Sequence, residues 1–154
     1  HKMMQDQELN LLAAEFFRVF ARAEYALKAS GFNQGNGPAE PNWTKFAVAI
    51  EAFIANPPNE KIRQAIEFIM NEPPKKQFIT DDIIEWREVK PSTNSQSDAL
   101  FQYIRRIRNN LFHGGKFNGC WFAPDRSERL MRAALTVLSD AIEQDSKVRE
   151  AYHG

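Results

Sequence analysis

Cysteine is almost missing from this chain. Cys120 stands alone among 154 residues, so no internal disulfide can form and a reducing compartment is the natural setting. Net charge is missing too. Twenty Lys and Arg balance twenty Asp and Glu, so no overall field draws the protein to nucleic acid or to a membrane. Any anion site must therefore be local. No apolar run comes near the roughly 18 residues that a bilayer span needs. The opening "HKMMQDQ" lacks the apolar block of a secretion signal. No phosphate-cradling loop of the Walker type is present, because "GFNQGNG" is not followed by Lys-Ser/Thr. Convincing β alternation, internal repeats and low-complexity tracts are absent as well. These absences point to a cytoplasmic protein with no membrane partner and a chain length suited to one domain. His1-Lys2 ahead of Met3 reads as a tag remnant, so the domain is expected to span residues 3–150.

What is present is helical periodicity. Residues 6–30 form an amphipathic stretch in which Leu9, Leu12, Ala13, Phe16, Phe20, Ala23 and Leu27 share one stripe, closed by Gly31. On another face Glu15, Arg18, Arg22 and Tyr25 recur at spacings of three and four. That row suits a solvated face with helix ion pairs, or the border of a cleft. After the loop 31–42, Asn42 can cap a helix from Trp43 to about Ala55, and Asn59 can cap another from Glu60 to Met70. Residues 77–97 fit either a short helix at 80–86 or irregular structure. Ser97 or Asp98 can cap a fourth helix with Leu100, Tyr103, Ile104, Ile107 and Leu111 on its stripe. Asp125 can cap a last one, to about Asp145. The expected class is all-α, a bundle of about five helices.

One segment does not suit a plain bundle. "YIRRIRNNLFHGGKF", residues 103–117, gathers Arg105, Arg106, Arg108, His113 and Lys116 where a helix must stop. The negative end of the helix dipole favours one or two cations there, not five. Asn109 and Asn110 are weak helix formers just before the stop, and two glycines after His113 let the backbone turn and leave the ring exposed. The physics allows an anion site or a decorated surface. Elsewhere, Asp81, Asp82, Glu85 and Glu88 have no His or Cys beside them and read as solvated or capping residues rather than metal ligands. Cys120 between apolar neighbours reads as a small buried group. Trp43, Trp86 and Trp121 can stack on bases, although single tryptophans more often serve a core or an interface.

"RNNLFH", residues 108–113, resembles the Arg-x4–6-His motif of the HEPN superfamily, and the following "GGK" and the stretch "RAEYALKASGF" at 22–32 are similar to sequences of that group. The resemblance implies a small, up-down helical bundle that pairs with a second copy. It also implies a metal-independent endoribonuclease without a cofactor, acting as a toxin or an antiphage defence effector. Arg108 and His113 match the two defining positions, and Asn109 matches the polar position that orients the catalytic pair. Arg105, Asn110 and Lys116 are then expected to hold substrate. The implied partners are RNA, a second copy of the chain, and an antitoxin or other partner protein.

The chemistry suits these residue types. RNA carries its own nucleophile, the 2′-OH. Histidine, with an ordinary pKa of about 6.5, suits the proton transfers, and arginine offers an always-charged fork to the phosphate oxygens. His1 belongs to the tag and His153 to an expected frayed terminus, so each chain supplies one histidine, and a two-fold dimer would double the site. One geometric demand follows. Residues five apart on a regular helix differ by about 140°. Arg108 and His113 converge only if the helix ends near Leu111, if it bulges, or if each meets the other copy's residue. Two other readings stay open: a non-catalytic HEPN-like module binding RNA, a nucleotide or a protein, and a helical interaction protein whose basic cluster meets an acidic partner.

Overall fold

The computed structural model describes residues 2–112, 116–117, 120–121 and 123–154. The fold is mainly α. Its helices are α1 (Lys2–Ala29), α2 (Trp43–Ala49), α3 (Glu51–Ala55), α4 (Glu60–Asn71), α5 (Gln96–Phe112), α6 (Pro124–Ala141) and α7 (Ser146–His153). α6 packs against α1 and α4, α7 against α1, and α5 against α2 and α3.

The predicted stripes are the core. Leu9, Phe16, Phe20 and Leu27 of α1 lie buried against Phe46, Ile62, Ile69, Leu100, Ile104 and Leu138. An aromatic cluster joins three helices: Trp43 stacks on Phe101 with centroids 5.8 Å apart and lies 5.3 Å from Phe20. Trp43 is thus a core residue, its indole Nε1 donating to Glu24 Oε2 over 2.8 Å.

Several expected boundaries move, each for a local reason. Asn42 and Asn59 cap α2 and α4 as expected, accepting from Lys45 N at 2.9 Å and Ile62 N at 3.0 Å. The cap of α5 is Ser95, whose Oγ accepts from Asp98 N at 3.1 Å, not Ser97 or Asp98. Those two are buried and tie α5 to α2 instead: Ser97 Oγ donates to Ala47 O over 2.7 Å, and Thr44 Oγ1 donates to Asp98 Oδ1 over 3.1 Å. The expected helix 43–55 is interrupted at Ile50, which leaves the helical region at φ −106°. α6 begins after Ala123 with Pro124 in its first turn, so Asp125 is not the cap. The expected single last helix divides into α6, a 3-10 turn at Ile142–Gln144, and α7, which Asp145 caps by accepting from Lys147 N and Val148 N at 3.0 Å. His153 is accordingly not in a frayed tail; its Nε2 lies 2.8 Å from Glu143 Oε1.

The largest departure is at 76–87. The expected helix or irregular segment is an antiparallel hairpin, β1 (Lys76–Thr80) with β2 (Ile83–Arg87), in the register Gln77↔Trp86 and Ile79↔Ile84. Asp81 and Asp82 make the turn at φ 50° and 63°, a left-handed pair that the short Asp side chain tolerates. Ile79, Ile83 and Ile84 stay exposed at 73%, 65% and 59%. The tip projects from the body, so no face is fully buried and the strands show no apolar–polar alternation. A second short pair, β3 (Lys116–Phe117) with β4 (Cys120–Trp121), follows α5.

Candidate functional site

The last three turns of α5 carry the charged segment. A residue advances about 100° around a helix, so Gln102, Arg105, Arg106, Asn109 and Asn110 share one broad face. With Lys76 and Gln77 of β1 they line a polar cleft of about 490 Å³. Among the described residues no carboxylate belongs to that lining. Arg105 and Asn110, expected to hold substrate, and Asn109, expected to orient the catalytic pair, are therefore brought together. β1, which was not anticipated, supplies the opposite wall.

The cations in the cleft have different duties. Arg106 is half-buried and clamps the hairpin base: its Nη1 donates to Pro74 O over 3.1 Å and to Val89 O over 2.7 Å. Burial pushes its guanidinium pKa below the ordinary value, with Tyr103 acting the other way. An arginine remains charged under such a shift. The side chains of Arg105 and Lys76 have no hydrogen-bond or ion-pair partner among the described residues, so they are the cations open to an incoming anion.

Arg108 lies to the side of this cleft rather than in its lining. Its guanidinium carbon sits 5.9 Å from the ring centre of Phe20 on α1. Its Nη1 donates to Asn109 Oδ1 over 3.0 Å, which couples the two sides. α5 stays helical through Phe112, up to the expected stop at His113-Gly114-Gly115. His113 lies outside the described residues, as does the Lys116 side chain; Lys116 itself opens β3.

The other candidates resolve simply. Asp81 and Asp82 serve the hairpin turn, and Glu85 pairs with Arg87 at 3.0 Å. Among the described residues no three His, Cys, Asp or Glu side chains gather as a metal site. Nor, among them, is any helix long and apolar enough to cross a membrane. On α1, Glu15, Arg18 and Tyr25 are exposed, while Arg22 Nε donates to Tyr152 O over 2.5 Å and fixes α7; none of the four lines the polar cleft. The Cys120 and Trp121 side chains lie outside the described residues.

No family model, no curated protein and no solved structure matches this chain.

Proposed function

We propose that the chain is a metal-independent endoribonuclease of the HEPN type, cleaving single-stranded RNA at a site shared by two copies. In this reading the 2′-OH of the substrate attacks the adjacent phosphorus. His113 takes the hydroxyl proton and a protonated histidine gives one to the departing 5′-oxygen. Arg108 steadies the charge that builds on the phosphorane, usually the largest catalytic effect. Asn109 holds the guanidinium. Arg105, Asn110 and Lys116 engage the flanking strand. The products are a 2′,3′-cyclic phosphate, or the 3′-phosphate from its hydrolysis, and a 5′-OH. The reading extends to a cytoplasmic toxin or defence effector restrained by an antitoxin or partner protein.

The observation that carries this reading is the 3.0 Å bond from Arg108 to Asn109, beside a cleft in which Arg105 and Lys76 lack partners among the described residues. It is a positioned guanidinium next to a place for phosphates. α5 is helical to Phe112, and this reading takes Arg108 to meet the other copy's histidine across a two-fold axis. The test is incubation of the purified protein with single-stranded RNA in EDTA. Wild type should cut and leave cyclic-phosphate ends, and a folded His113→Ala variant should not. Wild type that leaves RNA intact under these conditions sinks the proposal.

A second reading has one observation in its favour. Arg108 stands outside the lining of the polar cleft, so the cleft can bind RNA or a nucleotide with no reaction following. RNA binding by wild type without cleavage selects this reading.

A further inference from the structure

Beside the basic cleft lies a second concavity of about 290 Å³, between the hairpin base, α5 and α6. Its walls are apolar: Trp86 from β2, Ile107 and Leu111 from α5, Leu130 from α6, and Pro74. Its volume is at the lower end of small-molecule pockets, roughly 300 Å³. The two hollows are not independent. Gln77 and Trp86 face each other in the hairpin register, and Gln77 lines the basic cleft while Trp86 lines the apolar pocket. Asn110 lines both. Its Nδ2 donates to Lys75 O over 2.7 Å, and its Oδ1 accepts from no described residue. Arg126, at the pocket rim, is held by its own neighbours, with Nη2 donating to Pro73 O over 2.8 Å and Nη1 to Glu72 Oε2 over 3.3 Å.

A ligand that suits both hollows is anionic at one end and flat and apolar at the other, with a polar edge where Asn110 stands. A nucleotide has that form, and in single strands an unstacked base can leave its neighbours and lie on an aromatic ring. We propose that this pocket seats one nucleobase of single-stranded RNA against Trp86, while the adjoining phosphate lies in the basic cleft against Arg105 and Lys76. The proposal rests on RNA as the ligand in the reading above, and adds a base-reading subsite to it. Asn110 presents a hydrogen-bonding edge to the base, and the hairpin, clamped by Arg106, sets the distance between base and phosphate.

The test is calorimetric titration of the whole protein with UMP, AMP and ribose 5-phosphate at one fixed salt concentration. At least one nucleotide should bind roughly ten-fold or more tightly than ribose 5-phosphate, the scale of one base stacked on one aromatic ring. Trp86→Ala should remove that advantage. Ser127→Phe, which fills the pocket from α6 and leaves the hairpin alone, should remove it too, and it carries the test if Trp86→Ala loosens the strands. Arg105→Gln should weaken all three ligands alike. Equal affinity for nucleotides and ribose 5-phosphate, binding of none of the three, or an advantage that survives Ser127→Phe overturns the proposal. RNA cleavage in EDTA with no nucleotide advantage overturns the pocket and leaves the nuclease reading standing. A nucleotide advantage without cleavage supports the pocket and ends the nuclease reading.

Discussion

Arg108 and Asn109 are chain neighbours whose side chains hydrogen-bond to each other, guanidinium to carboxamide, over 3.0 Å. Adjacent residues on a helix point about 100° apart, so the bond swings the guanidinium toward the face that lines the polar cleft. Asn109→Ala should therefore act through Arg108. RNA cleavage should fall about ten-fold in kcat, the order of one hydrogen bond to a charged group, with little change in KM. Asn109→Ser keeps an acceptor and should recover part of the activity. An equal rise in KM with kcat intact would instead make Asn109 a substrate-binding residue.

Pairing across two copies has its own signature. Arg108→Ala and His113→Ala should each be inactive alone. Mixed, they form heterodimers in which one wild-type arginine meets the other copy's wild-type histidine, and activity should return to a fraction of wild type. Sedimentation measured alongside should show a dimer at micromolar concentration. A dimer whose mixture stays dead means that each pair lies within one chain or that cleavage needs both histidines, since the heterodimer keeps only one; a monomer removes the composite site altogether.

Arg105 is the cation on α5 with no partner among the described residues of the cleft. Its replacement by Gln should weaken RNA of every sequence similarly. The slope of log affinity against log salt should shrink by about 0.7, the share of one neutralised phosphate on a single strand. A sequence-dependent weakening with an unchanged slope would mean that Arg105 reads bases.

Arg106 carries a structural duty. Two carbonyls from opposite ends of the hairpin segment converge on its Nη1. Arg106→Ala should cost about 2 kcal/mol in urea unfolding, since each bond involves a charged donor. It should also speed hydrogen exchange at 76–87 more than elsewhere. Uniform exchange across the molecule would show that the clamp is not local.

Phe101 sits fully buried between Trp43 and Phe46, 5.8 Å from each. Phe101→Ala should destabilise the fold by about 3–5 kcal/mol in denaturant titration. A change below about 1 kcal/mol would mean that the aromatic cluster collapses to fill the gap.

The helical core was legible because a buried stripe repeats at helical spacing whatever its neighbours are. Leu9 to Leu27 on α1 and Ile62 to Ile69 on α4 follow that rule residue by residue. Phe101 escaped notice because it lies beside the Leu100–Ile104 stripe, and it is buried by α2, a packing partner that no local pattern announces. The hairpin escaped for the opposite reason. It buries too little to alternate, and its only local signal is the Asp81-Asp82 turn, which also resembles a helix start. The candidate site was half legible. Arg105, Asn109 and Asn110 stand together because they share a face of α5. The far wall of the cleft depended on β1, and the separation of Arg106 from the ligand-facing cations depended on two carbonyls 32 and 17 residues earlier in the chain.

That last relationship sets an order of events during synthesis. A lone two-stranded ribbon is barely stable in water. Residues 76–87 leave the ribosome before the arginine that fastens their base, and the ribbon cannot settle until α5 has emerged and folded behind it. A nascent chain halted before Arg106 would carry Ile79, Ile83 and Ile84, exposed even in the finished fold, on an untethered arm, the point at which newly made copies would be most prone to stick to one another.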